Sequence, residues 1–345
     1  MSVDLSDIAI RKKIALEDLS GKTIAIDAYN AIYQFLTTIR QLDGTPLMNS
    51  KGEITSHLSG LFYRTIDLIY NNIKPIFVFD GVPPALKSNT IARRQQQKVL
   101  AEEEYEKAKE LGDIESMYKY SKQAVRIDKY IIESSKELLR LMKVPIVDAP
   151  SEGEAEASFL VKKKKAYACA TQDYDALLFG ADIVVRNIAI SGRRKLPRKN
   201  IYIKVEPELV DLNETLSKNG ITQDQLIFIG ILIGNDFNQG IKGIGPKTAL
   251  KLARSMRSID DLKAYLSSKG LQIDADPEDV YKIFKEPEVI DVDYTDLSFN
   301  VNDIDTQSLY EFMCNRNNFS EERVKKYIEM LKSKISKQNT LSKWM

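Results

Sequence analysis

The chain has 345 residues, 43% hydrophobic and 29% charged, enough for one large domain or two ordinary ones with a full core. Its 50 basic and 49 acidic side chains leave a formal charge of +1, which excludes a simple basic nucleic-acid-binding module but not an acidic pocket within a basic surface. A single histidine, His57, and two distant cysteines, Cys169 and Cys314, exclude a catalytic triad, a His-rich zinc site and a disulfide framework, and favour a reducing compartment. No apolar run reaches the roughly 18 residues of a membrane span, and "MSVDLSDIAIRKKI" lacks the pattern of a signal peptide.

In chain order, three short apolar runs close on aspartate: "KTIAIDAYN" at Asp27, "KPIFVFDGVPP" at Asp80 and "AYACATQDYD" at Asp173. A fourth, "VPIVDAPSEGE", leads into a glutamate cluster. Between them "SHLSGLFYRTIDLIYNNI" sets Leu58, Leu61, Phe62, Ile66 and Ile69 at helical spacing. The alternation predicts an α/β fold, a mostly parallel central sheet with helices on both faces. Ligands of such sheets sit beyond the carboxyl ends of the strands, so the three aspartates fall on one rim.

From Ala85 to Met142 there is no proline and only one glycine, Gly112, while charge is dense. Two or three charged helices are expected, either a solvated insertion or a helical cap over the rim. Further on, "TQDQLIFIGILIGND" reads as an apolar helix, and "FNQGIKGIGPKTALKLARSM" adds a glycine hairpin and a basic helix. Asp274 to Asp303, acidic and holding Pro277 and Pro287, is expected to be irregular. "SEERVKKYIEMLKSKI" is a last helix and "SKQNTLSKWM" a flexible tail.

The rim collects Asp27, Asp80, Glu152, Glu154, Asp173, Asp175 and, after the apolar helix, Asp236. Carboxylates gathered in this way repel one another unless something positive sits among them. Oxygen ligands without sulfur or imidazole select Mg²⁺ or Mn²⁺ over zinc or copper. Two such ions roughly 3.5–4 Å apart serve phosphodiester hydrolysis with no histidine. Taken singly, an aspartate after a strand is as well explained by helix capping. In a fully helical "SEGEAEA", Glu152 shares a face with Glu156, not Glu154; only an irregular first turn brings 152 and 154 together.

"AIDAYNAIYQF", "SHLSGLFYRT", "PIFVFDGVPPALK", "APSEGEAEA", "TQDYDALLFG", "ILIGNDF" and "GIKGIGPKTAL" occur in this order and together closely resemble the flap endonucleases, structure-specific 5′ nucleases of DNA replication and repair, in their archaeal form. The resemblance covers nearly the whole chain. It implies a Mg²⁺-dependent hydrolase that cuts DNA near the base of a 5′ flap, with 5′–3′ exonuclease activity, in Okazaki fragment maturation and repair. It implies Asp27, Asp80, Glu152 and Glu154 as ligands of one ion and Asp173, Asp175 and Asp236 of a second, with Mn²⁺ as a substitute. It further implies that Lys87 and Arg94 contact the scissile phosphate, that Tyr33 stacks on a nucleotide, and that Arg40 and Arg64 touch DNA. The hairpin, with Gly234, Gly240, Gly243, Gly245 and Lys247, is implied to grip duplex and hold K⁺. Family members commonly begin Met-Gly, which lets the processed N-terminus approach the site; this chain departs from that pattern with Ser2.

The tail "QNTLSKWM" resembles the peptide by which replication proteins dock on the sliding clamp, PCNA, through Gln338, Leu341, Trp344 and Met345, with methionine where an aromatic is usual. The expected organisation is a nuclease region at 1–98, a helical cap at 99–130, a second nuclease region with the hairpin at 131–258, a helical region at 259–336 and the tail at 337–345. The expected protein is a monomer when free, in the cytoplasm of an archaeal cell and associated with its nucleoid. The competing readings are a relative that prefers bubbles or junctions, a non-catalytic branched-DNA scaffold on the clamp, and a phosphatase of small molecules.

Overall fold

The computed structural model describes residues 2–41, 43–190, 192–195 and 202–341, with 192–195, 202–204 and 334–341 as backbone alone. The first half runs β1 (Arg11–Lys13), β2 (Thr23–Asp27), α1 (Ala28–Thr38), α2 (Ser56–Tyr70), β3 (Lys74–Phe79), α3 (Ser88–Glu110), α4 (Ile114–Gln123), α5 (Lys129–Leu141), β4 (Ile146–Asp148) and α6 (Gly153–Lys162). Then come β5 (Ala168–Ala170), α7 (Asp175–Leu178), β6 (Ile183–Arg186), the ribbon β7 (Gly192–Lys195) and β8 (Tyr202–Val205), and β9 (Glu208–Asp211). Six helices follow: α8 (Leu212–Asn219), α9 (Gln223–Ile233), α10 (Pro246–Ala253), α11 (Ile259–Ser268), α12 (Pro277–Lys285) and α13 (Thr306–Tyr310); α14 (Glu321–Leu341) ends the described chain.

The main sheet has the order β1-β9-β6-β5-β2-β3-β4. Strands β6, β5, β2, β3 and β4 are parallel, and β9 and β1 close one edge antiparallel. Alternate strand residues feed two cores. Ile24, Ile26, Phe77, Phe79 and Val185 pack on the side of α1, α2, α5 and α14. Ala25, Ile76, Val78, Cys169 and Val184 pack on the side of α6, α7 and α9 to α12. A sheet buried on both faces explains why its strands read as unbroken apolar runs. No described helix is long and apolar enough to cross a membrane.

Several boundaries differ from the sequence expectation. Strand β3 stops at Phe79 and β5 at Ala170, so Asp80 and Asp173 lie just past the strands, in the turns of the rim. Helix α3 runs unbroken for 23 residues across the expected boundary at 98. Gly112, with φ of +67°, makes the break before α4, as expected from its freedom in that region. The segment expected to be irregular holds α12: Pro277 sits in its first turn, where the missing N–H costs nothing, and Asp276 caps Glu278 N at 2.8 Å. Helix α14 continues into the expected tail as far as Leu341.

Few residues of the cap are buried, although Ser121 Oγ donates to Gly44 O at 2.9 Å and Arg94 pairs with Asp236. Helix α4 buries none of its residues, and α3 only Thr90, Ala101 and Ala108. The two helices lean on each other, and the Arg126 guanidinium forks onto Glu102 with two bonds of 2.8 Å.

Candidate metal and nucleic-acid site

A cavity of about 980 Å³ opens between the carboxyl ends of β2, β3, β4 and β5 and the cap. Asp27, Asp80, Glu152, Glu154, Asp173, Asp175 and Asp236 all line it, and Lys98, Leu100, Tyr120 and Gln123 face them from α3 and α4. Each acid is held by local geometry. Asp27 ends β2 and caps α1, its Oδ1 accepting Asn30 N at 3.0 Å. Asp80 Oδ1 accepts Gly153 N at 2.8 Å, and a Cβ on Gly153 would lie 2.5 Å from that oxygen. A side chain at 153 would therefore displace the Asp80 carboxylate.

The glutamate ambiguity is resolved by where α6 starts. Glu152 is extended (φ −77°, ψ 126°) and precedes the helix, while Glu154 lies in its first turn, so both reach the cavity. Glu156 turns away and is buried, its Oε2 accepting Ile290 N at 2.9 Å. Glu154 Oε1 accepts the Thr171 hydroxyl at 2.6 Å. Asp173 Oδ2 accepts Asn30 Nδ2 at 3.1 Å, and Asp175 Oδ1 accepts Val3 N at 3.0 Å. Asp236 projects from a turn knitted by two buried asparagines. Asn235 Nδ2 donates to Asn238 Oδ1 at 2.7 Å, and Asn238 Nδ2 to Ile231 O at 2.8 Å.

Sequence reasoning missed Asn30, Thr171, Asn235 and Asn238. Asn30 carried a signal, since the third residue of a helix is where an aspartate cap finds its N–H. The others are long-range or internal to an irregular turn.

Burial, then the neighbouring acids, raises the carboxyls of Asp27 and Glu154 well above their usual range. Asp80 is pushed up to about 6 by burial and Glu152, and Asp175 to about 8 by burial, Asp236 and Asp173. Asp173 is raised mainly by burial. Burial also disfavours the charge of Asp236, but Lys87 and Arg94 outweigh it and hold that acid low. Lys87 Nζ pairs with Glu152 and lies 3.3 Å from Asp236 Oδ2, and Arg94 Nη2 donates to Asp236 Oδ1 at 2.5 Å. Burial works against the Lys87 charge, yet Glu152 and Asp236 raise its pKa.

A buried, oxygen-only donor set that repels itself fits hard divalent cations. Among the described residues no three of these groups are already gathered as a finished coordination shell. Two side-chain cations stand between them instead. The chain's histidine takes no part. His57 is buried in α2, 2.8 Å from Ser134 Oγ, and burial lowers its pKa to about 3.

Tyr33 is 42% exposed on the cavity wall. Arg40 and Arg64 are engaged by backbone: Arg40 Nε donates to Leu36 O at 2.7 Å and Nη1 to Gly44 O at 2.5 Å, and Arg64 Nε donates to Ala189 O at 3.1 Å. The hairpin glycines divide into two kinds. Gly234 and Gly240 pack on each other, and a Cβ on Gly240 would lie 2.3 Å from Gly234 N. Gly243 and Gly245 face open space, Gly245 at the N-terminus of α10 with Lys247 beside it, 74% exposed in its side chain. Trp344 and Met345 lie outside the described residues, and Gln338 and Leu341 are described as backbone alone.

The model of the XPG N-terminal domain matches residues 4–101 and that of the XPG I-region residues 143–236. The first holds Asp27 and Asp80, the second the other five acids. Flap endonuclease 1 of Pyrococcus furiosus is 49% identical over 349 residues, covering 100% of this chain and 99% of that protein. The solved flap endonuclease-1 from Methanococcus jannaschii is 42% identical with a TM-score of 0.75, covering 97% of this chain and 99% of that one. The catalytic core of Rad2 in complex with DNA substrate is 25% identical with a TM-score of 0.69, covering 96% of this chain and all of that one. With this similarity along its whole length, the chain belongs to the flap endonuclease family of nucleases.

Proposed function

We propose that this chain is a Mg²⁺-dependent endonuclease that cuts 5′ flaps at the junction of single strand and duplex, with slower 5′–3′ exonuclease activity. The observation that carries this reading is the ring of seven carboxylates beneath a helical roof, with Lys87 and Arg94 set among them. Asp27, Asp80, Glu152 and Glu154 would hold one divalent ion, and Asp173, Asp175 and Asp236 the other. When bound, two such ions stabilise the attacking and leaving oxygens and lower the pKa of a water.

The chain's own groups supply the rest. Lys87 and Arg94, two turns apart and both on Asp236, are placed to share their charge with a phosphate whose oxygens turn negative in the transition state. Tyr33 offers an aromatic face to a base beside the cut. The cap passes one strand and rejects a duplex. Gly243, Gly245 and the N-terminus of α10 offer backbone N–H groups to duplex phosphates, so binding reads the shape of DNA rather than its sequence. The hairpin carbonyls are a K⁺ site, and the tail from Gln338 docks on PCNA during Okazaki fragment maturation and repair in the cytoplasm. A scaffold that only binds branched DNA has no use for seven acids gathered on one rim.

The test is a 5′-labelled flap, a matched 3′ flap and plain duplex, each with Mg²⁺ or with EDTA. Metal-dependent release of the 5′ flap alone is expected. Tight binding with no cleavage in Mg²⁺ or Mn²⁺ would replace this reading by the scaffold.

A further inference from the structure

The turn Thr171–Tyr174 and the first residue of α7 carry Asp173 and Asp175, and the two residues between and before these acids are gripped from outside the cavity. Arg186, the last residue of β6, donates from Nε to Gln172 O at 3.1 Å and from Nη1 to Tyr174 Oη at 2.7 Å. Its guanidinium also lies 4.3 Å from the centre of the Tyr174 ring. Tyr174 is 4% exposed and the Arg186 side chain 18%, and neither lines the cavity. Glu208, on the neighbouring β9, sits 3.4 Å from Nη1 and balances the charge.

We propose that Arg186 and Tyr174 are positioning residues that set the metal affinity of the Asp173–Asp175 turn. The proposal rests on the reading of these two aspartates as metal ligands. Arg186 holds the Gln172 carbonyl and the Tyr174 hydroxyl, on the two residues flanking Asp173, while Asp173 and Asp175, with Gln172, line the cavity. Fixing every second residue fixes the direction of those between.

An arginine is suited to this because its rigid fork donates in two directions while its plane stacks on the ring; a lysine has neither property. The rest of the turn is held lightly. Asp173 N donates to Thr171 Oγ1 and Gln172 N to Asn30 Oδ1, both at 3.2 Å. Without the clamp the two carboxylates keep their bonds from Asn30 Nδ2 and Val3 N, but the metal has to order the turn on binding. Outer partners of this kind change metal affinity by about 10–100-fold.

The test is calorimetric titration of the full-length protein with Mn²⁺ in the absence of DNA, beside the Mg²⁺ dependence of flap cleavage and flap binding. In Arg186→Ala, one of the two Mn²⁺ sites is expected to weaken by about 10–100-fold while the other holds. The Mg²⁺ concentration for half-maximal cutting rises in step, and flap affinity stays unchanged. Arg186→Lys does not rescue the weakened site. Tyr174→Phe, which keeps the ring and removes one acceptor, weakens the same site several-fold and carries the test if Arg186→Ala does not fold.

Unaltered Mn²⁺ titrations in Tyr174→Phe and in a folded Arg186→Ala overturn the clamp. So does equal weakening of both sites with a matching fall in melting temperature, which marks general damage. A wild-type protein that binds two Mn²⁺ ions but cuts no flap overturns the proposed function and leaves the clamp to be judged by its variants. A wild-type protein that binds no Mn²⁺ overturns both.

Discussion

The metal rim and the glycine hairpin are both read here as meeting the DNA backbone, and they are built in opposite ways. The rim gathers seven carboxylates, buries Asp27, Asp175 and Asp236 and half-buries the rest, and needs cations to balance them. At the hairpin, Gly243 and Gly245 leave open space, and what these two offer is backbone. One region is specified by what its side chains do, the other by side chains being absent. Substitutions therefore fail differently in the two, chemistry first at the rim and binding first at the hairpin.

The largest effect is expected at the rim. Asp27→Ala and Asp173→Ala each lower the single-turnover cleavage rate by about 100–1,000-fold, the scale on which one charge-stabilising group acts. Flap affinity, measured by fluorescence anisotropy, stays within about twofold, because phosphate contacts elsewhere carry binding. Equal losses of cutting and binding would erase the contrast between the regions.

Gly153→Ala should come next. Its Cβ would press on Asp80 Oδ1, so the acid must move, and cutting is expected to fall about 10–100-fold, or about 1.4–2.7 kcal/mol in the barrier. In the hairpin the two kinds of glycine separate. Gly243→Ala meets nothing but strains a residue at φ of +89°, at a cost of about 1 kcal/mol. It should weaken duplex binding roughly fivefold and leave the rate at saturating DNA alone. Gly240→Ala collides with Gly234 and lowers the melting temperature by several degrees.

A smaller effect runs the other way. Asp80→Asn removes one of a set of repelling, buried acids, so the metal-free protein should melt a few degrees higher, and the stabilisation given by Mn²⁺ should shrink. A lower melting temperature in this variant would show that the acids do not strain the metal-free fold. Smallest in basal terms is deletion of residues 338–345. Cleavage alone should not change, and stimulation by PCNA should vanish.

The same contrast explains what was legible in the sequence. Asp27, Asp80 and Asp173 announce themselves because a buried parallel strand is an apolar run and an acid at its end stands out. Gly153 and the hairpin glycines are visible as residues but not as roles, since only the fold shows that a Cβ at 153 would meet Asp80 while one at 243 would meet nothing. The pairing of Glu152 with Glu154 rather than Glu156 depends on the residue at which α6 begins, a boundary that helical periodicity does not fix.

Pro277 looked like a break and is a helix start. Arg186 carried no signal: its partners lie 12 and 14 residues back and meet it only when β5 and β6 pair. Arg40 and Arg64 stand out only by resemblance, and the fold adds that their guanidinium groups also donate to the carbonyls of Leu36, Gly44 and Ala189.

The most direct test of the central claim is a crystal of the full chain with a 5′-flap DNA and Mn²⁺, read by anomalous scattering at the manganese edge. Two peaks are predicted, roughly 3.5–4 Å apart, between the Asp27–Asp80–Glu152–Glu154 and Asp173–Asp175–Asp236 groups and against the phosphate at the junction. An empty rim with DNA in place, or manganese bound only elsewhere, would contradict the account.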